Sequence, residues 1–393
     1  MISTYPNNRP LSSIYAYISE GCNLKCHHCY IAPKYTPDAK ETLSLDPDLF
    51  DYVVEQGIEL GLQNVKFTGG EPTLHPQFER LVETVKQHDI RFRMESNGLN
   101  ITPGLAKILS KTKRPNISIS LDASTSSIHD SVRGVEGSFQ RALTGLKNLV
   151  EAGVSPQIIF TLMKKNQHQI ADIISLAHEV GAGSLKFNIV QPSMRGEKMH
   201  KKDETLSIQE LLAVGHQVTQ VYAKKSKIPL VFSFPLAFQP LSHHFSGQSG
   251  VCGITTILGL LADGQYGLCG FGAFDDKVLF GNAKTTSLKE VWVDHPVLSD
   301  IFAGLPKKLE GICGQCLVNG LCQGSCLANN YHASGSLWSP HWFCDQAYKQ
   351  GLFPVTRLKP EADAHLELQH SSLPGSRPSN ALNDIIRGES LVK

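Results

Sequence analysis

The ten cysteines of this 393-residue chain have spacings that could bind metal. Cys22, Cys26 and Cys29 form C-x3-C-x2-C in the segment GCNLKCHHCY. The other seven lie in the C-terminal half, and they are Cys252, Cys269, Cys313, Cys316, Cys322, Cys326 and Cys344. Thiolates are soft ligands that suit zinc and iron-sulfur clusters, and closely spaced cysteines converge readily on one centre. The pattern therefore predicts several metal centres.

Disulfide bonds are the main alternative use for so many cysteines. The N-terminal segment MISTYPNNRP has neither the basic nor the apolar region of a secretory signal peptide. The longest strongly apolar stretch, residues 254–262, is shorter than the ~18 residues that a membrane span requires. We therefore expect a cytoplasmic protein with no membrane contact, in which thiols stay reduced and bind metal.

The charge of the chain does not indicate an electrostatic partner. It has 37 basic and 36 acidic residues, for a formal net charge of +1. Nucleic acids and anionic membranes attract clustered positive charge. We expect the protein to bind neither, so its partners must be inferred from its sites.

The first 225 residues alternate between β-rich and amphipathic helical segments. The strand candidates are residues 14–19, 64–68, 90–95, 116–121, 157–162 and 184–190. The helical patterns are residues 46–60, 75–87, 103–110, 138–151, 166–180 and 208–225. Asp46 and Pro47 are the candidate N-cap and first-turn pair of the first helix, and Gly61 is its candidate stop. Six β-then-α units of this spacing indicate parallel strands with right-handed crossovers. Because a full barrel has eight units, we expect an α/β fold built on a partial, TIM-like (β/α)6 barrel.

The pattern changes near residue 228 and predicts a second, smaller domain. The turn at Asp263 and Gly264 predicts a β-hairpin with Cys252 and Cys269 on its arms. Ser287 is a candidate cap for a short helix at residues 287–294. We expect a core domain over residues 1–227, a small Cys-rich domain held by metal centres over 228–350, and a polar tail over 351–393.

The first cysteine triad follows the first strand candidate. We expect it at the carboxyl-terminal face of the barrel, where barrel enzymes hold their active sites. Three thiolates can bind three irons of a cubane cluster and leave the fourth iron open for another ligand. A structural zinc ion would instead take four closed ligands, with His27 or His28 as the fourth. The triad therefore indicates a catalytic centre, with zinc as the alternative.

The triad resembles the cluster motif C-x3-C-x-aromatic-C of the radical S-adenosylmethionine (SAM) enzymes, with His28 in the aromatic position. The segment TGGEP, which contains Gly69, Gly70 and Glu71, resembles the GGEP turn of that family. In the family the open iron binds SAM, and the reduced cluster cleaves it to a 5'-deoxyadenosyl radical. The resemblance implies that the turn receives the SAM ammonium through a carboxylate and through backbone that only glycine can bring so close.

Other segments resemble further SAM contacts, so that the resemblance covers roughly residues 12–225. Ser96 and Asn97 resemble the segment that contacts the ribose, with an ordinary turn as the alternative. Ser120 and Arg133 resemble the pair that meets the SAM sugar and carboxylate, with a surface ion pair as the alternative for Arg133. Val190 matches the place where backbone groups hold adenine.

The seven C-terminal cysteines resemble the SPASM domain, whose pattern is C-x(9–15)-G-x4-C, C-x2-C-x5-C-x3-C and a final C. By that resemblance one auxiliary 4Fe-4S cluster has four ligands, which are Cys313, Cys316, Cys322 and Cys344. A second auxiliary cluster has Cys252, Cys269 and Cys326. It lacks a fourth cysteine, because Leu258 stands where sulfatase-maturing relatives have one. Zinc or rubredoxin-like sites are the alternative.

The resemblance implies three 4Fe-4S clusters, one of which binds SAM, in an oxidoreductase that matures a ribosomally made precursor peptide. The reaction would be crosslinking, epimerisation or backbone excision. Gly270 stands where sulfatase-maturing enzymes have a basic aspartate, which argues against that reaction. The segment CYIAPKY resembles maturases for Nif11-type leader peptides. The competing hypotheses are a SPASM enzyme for a small molecule or a haem or quinone precursor, and a non-catalytic iron-sulfur electron carrier, against which the GGEP turn argues.

Two protein partners follow from the same resemblance. The first strand candidate begins near residue 14, without the N-terminal module that many peptide maturases use to recognise a leader. We therefore expect a separate leader-recognition protein. Reductive cleavage of SAM also calls for an electron donor such as flavodoxin or ferredoxin. The sequence assigns no catalytic side chain, and we interpret Tyr30 as a core or rim residue.

Overall fold

The computed structural model describes residues 9–38, 41–240, 252–270 and 276–360. Ten strands form one sheet, and they are β1 Ser13–Ser19, β2 Asn64–Gly69, β3 Arg91–Ser96, β4 Lys113–Ser120, β5 Gln157–Leu162, β6 Ser184–Ile189, β7 Leu230–Phe232, β8 Ile257–Leu260, β9 Gln265–Gly267 and β10 Leu279–Asn282. Their order across the sheet is β10-β9-β8-β1-β2-β3-β4-β5-β6-β7.

The six predicted strands are β1 to β6, and each is parallel to its neighbours. The expected α/β fold with a partial barrel and a Cys-rich C-terminal region is confirmed. Two further parallel strands widen the sheet, because β7 pairs with β6 and β8 pairs with β1. Strands β9 and β10 continue it in antiparallel pairing. Hydrogen bonding thus crosses the boundary proposed at residue 227, and the extent of each domain stays a prediction.

Eight helices lie between β1 and β7. They are α1 Pro47–Glu59, α2 Phe78–Gln87, α3 Pro103–Ser110, α4 Ser126–Arg133, α5 Ser138–Glu151, α6 Ile170–Glu179, α7 Arg195–Lys201 and α8 Ile208–His216. The 3-10 turn Gln167–Gln169 replaces the predicted start of α6. The 3-10 turn Pro72–Leu74 precedes α2, which begins three residues after its predicted start. A π-helical segment, Gln217–Tyr222, extends α8. Helices α4 and α7 were not predicted, because each is short and has few apolar residues.

Helix α1 shows why these segments become helical. The Asp46 side chain accepts hydrogen bonds from the backbone N–H groups of Asp48 and Leu49, at 2.8 and 3.0 Å. Pro47 occupies the first turn, where its missing N–H costs nothing. Gly61, at φ 98°, then turns the chain back toward β2. The predicted cap, first-turn proline and stop are all confirmed.

The two faces of the sheet differ in polarity. Outward-facing side chains such as Val65 and Phe67 are fully buried under the helices. The Phe67 ring makes edge contacts with Phe50, Phe78 and Phe92, with centroids 5.1 to 6.0 Å apart. The interior of a closed barrel is also packed with apolar side chains. Here the inner face of the open sheet is instead largely polar and partly exposed.

The C-terminal region is built from the predicted hairpin and short helices. Strands β8 and β9 form the hairpin, and Gly264 has a φ of 88° in its turn. Cys252 and Cys269 lie beyond the strand ends rather than on the arms, because only residues 259–260 and 266–267 pair. Six helices follow, and they are α9 Leu288–Asp294, α10 Pro296–Gly304, α11 Gly311–Gln315, α12 Asn319–Cys322, α13 Leu327–Ser334 and α14 Trp342–Lys349.

The predicted cap of α9 is confirmed. Ser287 and Glu290 each bond to the other's backbone N–H, at 3.2 and 2.8 Å, in a capping box. Within the described ranges, no helix is both long and apolar enough to cross a membrane. Most of the predicted polar tail, residues 361–393, lies outside the described residues.

Candidate functional site

A cavity of about 280 Å³ opens at the carboxyl-terminal ends of the strands. Its wall contains the first cysteine triad, Cys22, Cys26 and Cys29. It also contains every side chain that the sequence predicted to contact SAM, namely His28, Gly69, Gly70, Glu71, Ser96, Asn97, Ser120, Arg133 and Val190. The structure therefore brings together, at one end of the barrel, residues that are up to 168 positions apart in the sequence.

The cysteine loop is held from two sides. The backbone N–H groups of Lys25 and His27 donate to the last carbonyls of α4, at 2.9 and 3.0 Å. The guanidinium of Arg195, the first residue of α7, donates to the carbonyls of Cys26 and Pro33, at 3.1 and 3.3 Å. These contacts fix the loop backbone, so that the triad faces the cavity.

The Glu71 carboxylate is buried and is bound by the protein itself. It accepts hydrogen bonds from the Thr73 backbone and hydroxyl at 3.1 and 2.6 Å, from the Ser96 hydroxyl at 2.7 Å and from the Asn97 N–H at 2.8 Å. Burial raises the pKa of Glu71, and the bonds from Asn97, Thr73 and Ser96 partly offset that rise. Glu71 therefore joins the turn after β2 to the turn after β3. A contact with the SAM ammonium stays a prediction.

The two glycines before Glu71 are required by close backbone approach. A β-carbon on Gly70 would lie 2.0 Å from the Gly21 carbonyl oxygen, in the cysteine loop. Gly69 has a φ of 125°, which only glycine adopts readily. The turn and the cysteine loop are thus in direct contact.

Arg133 forms a buried ion pair, so the alternative of a surface ion pair is wrong. Its guanidinium lies 2.7 Å from the Asp122 carboxylate, and the side chains are 7% and 0% exposed. A second nitrogen donates to the Cys26 sulfur at 3.5 Å. Burial disfavours both charges, but the pair holds the pKa of Asp122 below its usual range and that of Arg133 above. A fixed positive charge therefore stands beside the triad, where it could also meet an anionic ligand.

The structure shows the contacts of His28 and Asn97, which the sequence alone did not determine. His28 Nε2 lies 3.5 Å from the Asp122 carboxylate, and burial lowers the His28 pKa to about 4, which keeps the ring neutral. Asn97 accepts from the Leu99 N–H at 2.9 Å, as in an ordinary turn, and donates to Asn23 of the cysteine loop at 2.7 Å. Asn97 thus forms the turn and also links two loops.

The four cysteines expected to share a cluster do come together. Cys313, Cys316, Cys322 and Cys344 line one small cavity, whose remaining wall is largely apolar. Burial raises the pKa of Cys313 to about 12 and that of Cys322 to about 11. Cys344 is close enough to the other three thiols for each of them to raise its pKa further. The arrangement fits a closed site with four thiolate ligands.

The other three cysteines also form a group. Burial raises the pKa of Cys252, and the neighbouring thiols of Cys326 and Cys269 add to that rise. Tyr30 lies near both cysteine groups, because burial raises its pKa and the thiols of Cys29, Cys269 and Cys326 add to that rise. Tyr30 also lines the cavity, so it is a rim residue as predicted. Leu258, where a fourth cysteine would stand, is buried in β8.

All ten cysteines lie in described residues, and each of them is free of a disulfide bond. Over the described ranges, no three His, Cys, Asp or Glu side chains are placed to hold a single metal ion. Ligands of an iron-sulfur cluster bind different irons and stand further apart than the four ligands of one zinc ion.

Sequence reasoning missed Asp122, Arg195 and Glu95 as residues that shape the site. Glu95 lines the cavity and pairs with Lys66 at 2.7 Å. A signal existed for Asp122, because it lies directly after a strand that ends at the barrel face. No sequence signal pointed to Arg195, whose contacts span more than 160 residues.

Comparison with known proteins agrees with this geometry. Residues 16–177 match the profile of the Radical SAM superfamily. The chain is 28% identical over 340 residues to the mycofactocin maturase MftC of Mycobacterium ulcerans, and the alignment covers 84% of this chain and 87% of that protein. It is 25% identical over 347 residues to an AdoMet-dependent heme synthase of Methanosarcina barkeri, with coverage of 83% and 94%.

A solved structure shows the same fold. The structure of Streptococcus suis SuiB bound to the precursor peptide SuiA superposes with a TM-score of 0.68 at 18% identity, covering 86% of this chain and 76% of that one. The superfamily uses a 4Fe-4S cluster and SAM. The cysteine loop, the glycine turn, the fold and these matches together show that residues 16–177 form a radical SAM domain and that the chain is a radical SAM enzyme.

Proposed function

We propose that this enzyme matures a ribosomally made precursor peptide by radical chemistry. The observation that carries the proposal is the second group of three cysteines, because Cys269 and Cys326 lie near Tyr30, a residue of the cavity wall that is also near Cys29. A substrate in that cavity would lie between the two sites. When bound, the cluster and SAM supply one-electron cleavage and a radical that abstracts hydrogen from the substrate.

The residues of the chain would hold these groups in distinct ways. Cys22, Cys26 and Cys29 would bind the SAM cluster, with the Arg133 guanidinium beside it. Gly69 and Gly70 would present backbone to the SAM ammonium, and Ser96, Asn97, Ser120 and Val190 would line the rest of the SAM site, with His28 packed beside the cluster. Glu71 would hold the turn that receives SAM.

Two auxiliary 4Fe-4S clusters would complete the enzyme. The four-cysteine site would hold a closed cluster that relays electrons, because it leaves no iron free for substrate. The three-cysteine group would leave one iron available for an exchangeable ligand or for substrate. Formation of an oxidised product releases an electron, and the two clusters together would carry that electron away.

The names of the relatives favour a peptide substrate. MftC is a mycofactocin maturase, and SuiB was solved with its precursor peptide. A separate protein would present the leader, and flavodoxin or ferredoxin would supply electrons. The same reducing conditions imply a cytoplasmic location.

A tetrapyrrole substrate is the second candidate. Its support is the similarity to AdoMet-dependent heme synthase, and to an Fe-coproporphyrin III synthase of the same organism at 26% identity over 351 residues. The electron-carrier hypothesis has no such support. The turn that contains Gly69, Gly70 and Glu71 would also serve no purpose in a carrier that binds no SAM.

An assay of the reconstituted enzyme separates the two candidates. We would reconstitute the enzyme anaerobically, and supply reductant, SAM and either a short precursor peptide encoded beside its gene or Fe-coproporphyrin III. We expect 5'-deoxyadenosine formation and a mass change in the peptide. A mass change only in the porphyrin would overturn the peptide proposal.

A further inference from the structure

The inner face of the sheet carries positive charge that the proposed SAM site does not use. Strand register places Tyr15, Lys66 and Arg93 side by side on β1, β2 and β3. Lys186, on β6, is in register with Ile159, which lines the cavity, and Asn188, two residues further on, also lines it. Because side chains alternate along a strand, Lys186 lies on the same inner face as Asn188, next to the wall of the cavity.

The described inner-face positions of β1 to β6 include only one carboxylate, Glu95. Glu95 is already paired with Lys66, at 2.7 Å between Oε1 and Nζ. The Lys66 ammonium also lies 4.8 Å from the centre of the Tyr15 ring. The pair therefore neutralises itself, and it leaves Lys186 and Arg93 without an acid of their own on this face.

Lys186 is half-buried, whereas Arg93 is exposed, so Lys186 is the less exposed of these two uncompensated cations. Burial lowers its pKa, Glu95 opposes that effect from beyond ion-pair distance, and Lys66 adds to it. Other lysines on the protein either reach water or have an acid close by, as Lys164 and Lys349 do. Removing a cation from water without an acid partner costs free energy, and a bound anion would offset that cost. The cavity beside it gives such a partner room.

We propose that Lys186 binds a carboxylate of the substrate on the inner face of the sheet. The inference rests on the proposed function in taking a peptide as the substrate, whose C-terminus or acidic side chain would supply the carboxylate. The ammonium would anchor that group and so fix which substrate carbon faces SAM. Lys66 and Glu95 would remain paired to each other.

The test uses the full chain with its clusters reconstituted. Two matched pools of random synthetic octapeptides, one with free and one with amidated C-termini, would be passed over immobilised enzyme, and retained peptides identified by mass spectrometry. The wild type should retain peptides with free C-termini or acidic residues. For such a peptide Lys186→Met should weaken binding about tenfold or more, while Lys186→Arg should retain most of it.

A thermodynamic cycle makes the assignment specific. Amidating the carboxylate should weaken binding to the wild type and have little further effect on Lys186→Met. Lys147→Met, on the exposed face of α5, is the matched control and should change nothing. Equal peptide affinity in Lys186→Met and the wild type would overturn the proposal, as would a weakened affinity for SAM itself.

A second probe distinguishes this inference from the proposed function. If the wild type retains no peptide, the proteins would be titrated with coproporphyrin and with its tetramethyl ester. If the free acid binds and its binding depends on Lys186, the proposed carboxylate site is supported and the proposal of a peptide substrate is overturned. Binding of neither probe in a Lys186-dependent way would overturn the carboxylate site.

Discussion

Several of the cysteine sulfurs accept hydrogen bonds from the protein. Backbone N–H groups donate to Cys29 from Ala32 and to Cys313 from His341, both at 3.4 Å, and Arg133 donates to Cys26. Such bonds stabilise thiolate and tune the potential of a bound cluster. Burial raises the pKa of Cys26 and that of Cys313, the latter to about 12, so the metal-free chain holds these two thiols protonated at neutral pH. Cluster assembly must therefore release protons.

Glu71 illustrates how one buried residue can serve both stability and ligand binding. Glu71→Ala would leave four donors on Thr73, Ser96 and Asn97 without their acceptor, each at a cost of about 1–3 kcal/mol before the loop relaxes. We expect a lower midpoint of thermal unfolding and a loss of SAM affinity of about 1.5–3 kcal/mol. Calorimetry and equilibrium SAM binding would measure the two effects.

The matched control for this prediction is Glu79→Ala, on the exposed side of α2, which should alter neither quantity. Weaker SAM binding with unchanged unfolding would show that Glu71 serves the ligand directly and not the turn. Unchanged SAM binding would show that the turn does not contact SAM.

At the scale of elements, the turn after β2 acts as a brace for the cysteine loop. The backbone N–H groups of Gly70 and Glu71 donate to the carbonyls of Ser19 and Gly21, at 2.7 and 2.8 Å. The loop that would hold the cluster and the turn that would receive SAM therefore move as one unit.

Gly70→Ala tests this brace. The new β-carbon would meet the Gly21 oxygen at 2.0 Å, so the two segments must separate, at a cost of about 1–3 kcal/mol. We expect lower stability to denaturant together with weaker SAM binding. Gly104→Ala is the control, because its β-carbon would lie 3.8 Å from the nearest atom in α3 and should be neutral or stabilising. Wild-type behaviour of Gly70→Ala would contradict the close contact.

At the scale of the whole molecule, the strands of the C-terminal region extend the sheet of the open barrel and do not form a separate sheet. Strand β8 pairs with β1, so the chain that carries Cys252 and Cys269 is joined to the strand that precedes the first triad. Cys326 arrives from the start of α13. The pairing of β8 with β1 thus connects the second cysteine group to the strand before the first triad.

Iron content tests the proposed cluster set. Three cubanes would give about twelve irons per chain, and changing Cys22, Cys26 and Cys29 to Ala should remove about four of them and abolish SAM cleavage. Changing Cys313 and Cys316 to Ala should also remove about four. That variant should still cleave SAM with a chemical reductant but should form less product. Elemental analysis and 5'-deoxyadenosine assays provide the readout, and zinc in place of iron would contradict the assignment.

The order of the core elements could be predicted because local signals decide it. Alternating apolar patterns gave the six strands, and Asp46 and Ser287 marked the helix starts that their side chains cap. Prediction failed for α4 and for β7, whose three residues are stabilised by pairing with β6 rather than by their own pattern. Strand partners distant in sequence leave no such local trace.

The sequence by itself determined the chemistry that this protein can perform, because thiol spacing and the glycine turn are local properties of one loop each. Only the tertiary structure decided that Glu71 joins two turns, that Arg133 pairs with Asp122 beside Cys26, and that Lys186 lies on the inner face of the sheet next to Ile159. These depend on contacts between residues far apart in the chain, and on a sheet left open enough for its inner face to stay polar. Burial, which fixes the charge state of each group, exists only once those contacts form.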